Sequence, residues 1–255
     1  MMNKLLGFIF ILSIGMAQEL SVLQIIEKVL SVPKPNTSIS DIKLEIIRMK
    51  RGKEKVKVRE FTRFQKNYIS GEFKSKSLAR FQKPILVKGT GLLSWVYRNG
   101  NTDQWFFLPK LKTVKRVQAK ERSKTFMGTD FIYEDFESRK LGQDSLISVG
   151  IEYLNNQQCH VIMAFPQNES AYHSRKIWVN SQNWKIQKIE FYLNETHKLK
   201  TLSVLSFIEK NGFVTAGKMM MEKEDGKKTI MEINNFNPNV GLKDEIFSES
   251  FLIKI

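Results

Sequence analysis

Hairpin-type dipeptides punctuate the chain at Arg51-Gly52, Ser70-Gly71, Asn99-Gly100, Asn211-Gly212 and Asp225-Gly226. Glycine in such a pair accepts the positive φ that a tight turn between antiparallel strands demands. Asn180-Ser181-Gln182-Asn183 and Asn194-Glu195-Thr196 read as further turns. Strand-like runs lie between these signals, at residues 42–49, 56–64, 92–97, 105–108, 161–165, 176–179, 186–193, 202–208, 213–221 and 229–234. Residues 247–253 are a candidate to close the set. About 10–11 consecutive strands joined by tight turns form an antiparallel meander. Strands do not alternate with helices, which argues against a parallel sheet. The fold class expected is mainly β (α+β).

One helix precedes the strands. Leu20, Leu23, Ile26 and Leu30 recur at helical spacing, and Val22, Ile25 and Val29 widen the apolar face. Pro33 and Pro35 end it. The strands carry large apolar side chains on both parities: Leu44 and Ile46 alternate with Ile47 and Met49, and Met219, Met220 and Met221 are consecutive. Both faces of such a sheet need cover. Either both are packed core, or one faces a cavity and a ligand. Thioethers tolerate varied partners, so the methionine run suits an adaptable surface.

The first residues point to export. Lys4 precedes an apolar run over residues 5–16, and small residues stand at Gly15 and Ala17 before the polar Gln18-Glu19. That order is expected of a signal peptide (residues 1–17) cleaved after Ala17. The run is short of the roughly 20 apolar residues that span a bilayer. No cysteine lies near the cut to carry a lipid anchor. Residues 18–255 are therefore expected to be a single exported, soluble domain, touching membranes only peripherally. Cys159 is the one cysteine, so no intrachain disulfide forms and a buried thiol is expected. The net charge of +15 is spread over residues 50–63, 110–124 and 218–228. It serves solubility or attraction to anionic membrane surfaces. Export argues against nucleic acid as partner.

Residues 81–136 are the distinctive part. Trp105-Phe106-Phe107-Leu108-Pro109 is followed by Lys115-Arg116. Then comes Phe126-Met127-Gly128-Thr129-Asp130-Phe131-Ile132-Tyr133-Glu134-Asp135. This segment resembles the LolA-like outer-membrane lipoprotein-sorting family, the periplasmic lipoprotein and lipid carriers. The resemblance is to the branch with a W-x-Y-L-P, R-R and S-F-M-G-S-D-F-x-Y-E-D pattern. Thr129 keeps the hydroxyl of the usual serine, and Phe107 lacks that of the usual tyrosine. Lys115 replaces one arginine, which removes a bidentate donor.

The resemblance implies an incomplete antiparallel β-barrel with short lid or plug helices and an apolar interior that binds acyl chains. It implies as partners lipoprotein acyl chains or lipids, and an inner-membrane efflux-type lipid transporter. It implies no cofactor. Parity and the family together nominate Leu93, Trp95, Trp105, Phe107, Phe126, Met127, Phe131, Tyr133 and Met163 as apolar ligand contacts. Arg116, Arg122, Asp130, Glu134 and Asp135 are the polar candidates: the arginines either pair with these acids and hold the segment shut or meet a lipid phosphate. Gly128 permits a sharp turn, and Asp130 is expected to cap a short helix. Whether residues 126–136 are a mobile lid or a fixed plug stays open at this level.

Catalytic motifs are missing. His160, His173 and His197 have no metal-ligand spacing, and neither a nucleophile elbow nor a phosphate-binding loop occurs. Neighbouring Cys159 and His160 point to opposite faces of a strand and cannot act as a local pair. The clustered acids Glu134, Asp135 and Glu137 read as a solvated helix end. The expectation is a carrier and not an enzyme. The alternatives are an envelope adaptor that docks on a transporter without holding cargo, and a lipid or glycan hydrolase.

Overall fold

The computed structural model describes residues 20–136 and 144–254. The expected signal peptide and Glu137 lie outside them. Helix α1 (Val22–Ser31) is followed by β1 (Thr37–Lys50), β2 (Lys53–Asn67), β3 (Phe73–Lys83), β4 (Gly91–Tyr97), β5 (Thr102–Leu108) and β6 (Thr113–Arg116). Then come β7 (Ser145–Leu154), β8 (Gln157–Phe165), β9 (Ser174–Asn180), β10 (Ile186–Tyr192), β11 (Lys198–Lys210), β12 (Phe213–Lys223), β13 (Lys228–Pro238) and helix α2 (Glu249–Leu252). All thirteen strands form one antiparallel sheet in the order β6-β5-β4-β3-β2-β1-β13-β12-β11-β10-β9-β8-β7. Two meanders thus meet where β1 pairs with β13. β6 and β7 remain edges, so the barrel is incomplete, as expected. Each predicted turn dipeptide falls at a strand junction.

The strand count exceeds the expected 10–11 because β3, β6 and β7 lie outside the expected set: β3 and β6 carry weak apolar signals, and β7 is apolar but follows no hairpin dipeptide. β3 reads Phe-Lys-Ser-Lys-Ser-Leu-Ala-Arg-Phe-Gln-Lys, and pairing with β2 and β4 on either side makes it a strand. Residues 247–253 correct the expectation the other way. Asp244–Phe247 is a 3-10 turn and α2 follows, with the Ser248 hydroxyl accepting from Phe251 N at 3.1 Å. Phe247 and Leu252 are buried against Leu78, Leu93, Trp105 and Phe107 on the outer face of the sheet. Trp95 Nε1 donates to the Phe247 carbonyl, and Arg80 to those of Leu252 and Phe251. These bonds satisfy helix-end carbonyls.

Ser21 caps α1 in a reciprocal box: it accepts from Gln24 N, and its own amide donates to the Gln24 side chain. The buried face is centred on Ile25 and Ile26, which pack on Ile162, Ala164, Ile177 and Val179 of β8 and β9. Burial of each contributes roughly 1.5–3 kcal/mol. Leu23 and Leu30, expected on the core face, are 69% and 50% exposed. The apolar stripe is wider than the two strands it meets, and docking selects one side of it. Among the described residues no helix is long and apolar enough to cross a membrane.

The connector from β6 to β7 covers the inner face. Its Phe126, Phe131 and Ile132 share a core with Ile42, Leu44, Phe61, Phe81 and Leu92 from one meander, and with Phe191, Met221 and Met231 from the other. The core is therefore built on a loop that passes from one sheet edge to the other.

Candidate functional site

Two inner-face cavities flank this connector. The larger, about 510 Å³, runs from Val29 and Leu30 of α1 to Ile177, Ile189, Phe191 and Met221. Lys34 and Lys74 contribute positive charge to its lining. The smaller, about 240 Å³, is walled by Ile42, Phe61, Leu92, Phe126, Met219 and Met231. Phe131, Asp135 and Leu202 line both, so they form the partition. Small-molecule pockets typically occupy about 300–1,000 Å³ and are mostly apolar, with a few placed polar groups. Met219 and Met231 supply adaptable walls of the kind the methionine run suggested.

Buried charge clamps the partition in place. Met127 and Gly128 adopt φ of 51° and 74°, making the sharp turn expected at the glycine. The Thr129 hydroxyl donates to the Phe126 carbonyl at 2.6 Å and accepts from Phe131 N at 3.2 Å. Asp130 takes a bidentate pair from Arg48 at 2.8 and 3.0 Å and accepts from the Thr229 hydroxyl at 2.7 Å. Asp135 accepts from Lys200 Nζ at 2.6 Å, the Tyr172 hydroxyl at 2.7 Å and the Ile132 amide at 2.8 Å. Glu134 accepts from the Ser170 hydroxyl at 2.6 Å and the Ala171 amide at 2.7 Å. Burial lowers the Lys200 pKa, and Asp135 opposes that shift. Burial first, and then the charge of Asp135, raise the Tyr172 pKa. The arrangement holds a loop in place by hydrogen bonds and ion pairs from distant strands.

Comparison with known proteins adds the family. A family model described only as uncharacterized-protein-like matches residues 74–254. A domain named for outer membrane lipoprotein sorting, from Vibrio parahaemolyticus, is 26% identical and superposes with a TM-score of 0.82, over 89% of this chain and 96% of its own. The chain belongs to the LolA-like outer-membrane lipoprotein-sorting family. A DUF1329 family protein from Desulfovibrio piger has the same fold, with a TM-score of 0.82 at 24% identity over 89% and 96% of the two chains. So does a LolA superfamily protein from Nitrosomonas europaea, with a TM-score of 0.70 at 18% identity over 91% and 100%. No curated protein matches the chain.

The family signature divides between the two faces of the sheet. Phe126 lines the smaller cavity and Phe131 both. Tyr133 packs edge-on against Phe106 and Phe126, and Met127 borders the same core. Leu93, Trp95, Trp105 and Phe107 correct the parity expected. They project from the outer face, beneath Phe247 and Leu252, and reach neither inner cavity. Their sequence neighbours Leu92 and Phe106 take the inner positions. Met163 is likewise on the outer face, beside Cys159 and Val161, because Ile162 and Ala164 point inward to α1. A one-residue change of parity swaps faces, and nothing local announces which face is which. Cys159 is buried, and burial raises its thiol pKa.

Arg116, Asp130 and Asp135 find partners other than those expected. Arg116 bonds Asp103 on the surface. The Arg122 carbonyl accepts from the Glu134 amide at 3.1 Å, and its side chain lines a small cleft with Glu134 and Ser170. The buried acids meet Arg48 and Lys200 from distant strands. Asp130 does not cap the turn at Tyr133–Phe136; Asp135 takes the Ile132 amide instead. Sequence reading missed Arg48, Tyr172, Lys200 and Thr229. Lys200 had one usable signal: it shares strand parity with Leu202, so a charge stands at a core-facing position.

Proposed function

We propose that this protein is a periplasmic carrier. It takes the acyl chains of lipoproteins or lipids into the inner-face cavities and moves them toward the outer membrane, docking on an inner-membrane efflux-type lipid transporter. The observation that carries this reading is the apolar cavity of about 510 Å³ between α1 and the partition. Its walls bury methylenes, each contributing about 0.8 kcal/mol. The lysines at its lining suit acidic headgroups. The chemistry asked of the protein is binding and release, with no covalent step. In this reading residues 126–136 are a fixed wall, since moving them would strand buried charges.

Delipidated protein should gain stability from palmitoyl lipids or a lipopeptide. Saturation at a hundredfold over Kd is worth about 2.7 kcal/mol, or roughly 5–10 °C for a chain of this size. No gain with any acyl compound, together with no lipid extractable from freshly purified protein, overturns the carrier.

A second reading, the adaptor without cargo, is favoured by the edge strand β7. There Ile147 and Tyr153 are 55% and 73% exposed beside an unpaired backbone edge. Photo-crosslinkers at Phe131 and Tyr153 separate the two: lipid adducts at Phe131 support the carrier. Protein adducts at Tyr153 with none of lipid at Phe131 support the adaptor.

A further inference from the structure

The smaller cavity holds a cation that nothing in the described protein neutralises. Arg63 lines it from β2, among Phe61, Leu92, Phe126 and Met219. Among the described residues its guanidinium has no hydrogen bond and no ion pair. The one acid on the same cavity, Asp135, is already taken by Lys200, Tyr172 and the Ile132 amide. Arg59, four residues earlier and on the same face of β2, also lacks an acid, and its Nε is buried with no partner. Burial lowers the pKa of both groups, with no charge partner to oppose it.

Arg63 is partly buried, and taking a cation even partly out of water without a partner is costly, so such charges are normally paired. Two further donors stand near it. Arg63 is directly opposite Ala79 on β3, which puts Ser77 at the diagonal inner-face position, and Ser77 faces Ser94 on β4. Diagonal neighbours are within reach of a long side chain. Both hydroxyls line the cavity, and neither makes a hydrogen bond among the described residues. A guanidinium and two hydroxyls in an apolar chamber form a donor set for one oxyanion.

We propose that Arg63, with Ser77 and Ser94, binds the carboxylate or phosphate of an acidic acyl amphiphile, with its chain in the inner-face cavities. This rests on the carrier reading and narrows its cargo. The cargo then carries an oxyanion next to its apolar chain, and a neutral lipid leaves the guanidinium unpaired.

The test is a titration of delipidated protein with palmitate, hexadecyl phosphate, hexadecanol and inorganic phosphate, read by calorimetry. The two acidic amphiphiles should bind about tenfold or more tighter than hexadecanol, the worth of a charge-assisted hydrogen bond. Arg63→Leu should erase that preference, bringing both acidic amphiphiles to the affinity of hexadecanol, while Arg63→Lys keeps part of it. Equal affinity of the wild type for palmitate, hexadecyl phosphate and hexadecanol overturns the headgroup site and leaves the carrier standing. So does a preference that survives Arg63→Leu. Inorganic phosphate binding as tightly as hexadecyl phosphate overturns the amphiphile as occupant. No binding of any palmitoyl or hexadecyl compound overturns the carrier reading itself. Arg63→Lys and the wild-type preference keep the test decisive if Arg63→Leu does not fold.

Discussion

Asp135 is the place to break the hold on the partition. Its side chain is 4% exposed and that of Lys200 1%, so neither charge falls back on water. Asp135→Asn keeps the shape and removes the charge. Lys200 Nζ is then left with the Asp130 carbonyl at 3.0 Å and the Tyr172 and Phe191 rings, whose centroids lie 5.3 and 5.2 Å away. Breaking one side of a buried ion pair costs about 3–5 kcal/mol. The ring contacts offset part of that, which puts the expected loss near the lower end, about 3 kcal/mol. Lys200→Met is milder. Asp135 keeps the Tyr172 hydroxyl and the Ile132 amide, and two retained hydrogen bonds to a carboxylate limit the loss to about 2 kcal/mol. The double variant contains no stranded charge, so it should be no worse than Asp135→Asn alone, about 2–3 kcal/mol. The coupling energy is then about 2–3 kcal/mol. Urea denaturation at pH 7 of the wild type, both single variants and the double variant measures it. A cost below about 1 kcal/mol for Asp135→Asn, or strict additivity, would refute the clamp.

Three further outcomes are expected. Phe131→Ala should cost about 3–5 kcal/mol and join the two cavities, so the affinity gain per added methylene should extend to longer chains; an unchanged chain-length limit counts against Phe131 as the divider. Leu93→Ala should cost about 2–5 kcal/mol without changing the Kd for palmitate, because its side chain is on the outer face; a matching loss of affinity would contradict that separation. The third concerns acid. Bonds from Lys115, the Gln118 amide and Lys124 hold the Glu121 carboxyl down from 4.5 to about 2. A depressed carboxyl stabilises above its unfolded value and loses that contribution as pH falls toward its folded one. The melting-temperature advantage of wild type over Glu121→Gln should therefore shrink between pH 4.5 and about 2, and a constant difference there would count against it.

Much of the architecture was legible before any coordinates. Turn dipeptides mark strand junctions because positive φ is a local requirement, and the helical spacing of apolar residues from Leu20 to Leu30 announces α1. The signature over residues 126–136 was recognisable because its residue order is distinctive. β3 was hidden because its lysines and serines become strand only between two partners. The helical turns over residues 244–252 were hidden for a related reason: their apolar spacing fits a strand until the outer face selects Phe247 and Leu252.

What the sequence by itself determined is a mainly antiparallel chain with a helix ahead of it and one unusual aromatic, acidic segment. Those are properties of local backbone preference and of residue order. Only the tertiary structure decided which parity faces inward, so Leu92 and Phe106 replaced Leu93 and Trp105 on the inner face. It also decided who meets the acids: Arg48 lies 82 residues from Asp130, and Lys200 lies 65 from Asp135. A sheet has two faces, and strand alternation is blind to which is which until something covers one. Here the cover is the connector between the two open edges, and its placement sets both the cavities and the unpaired Arg63 within them.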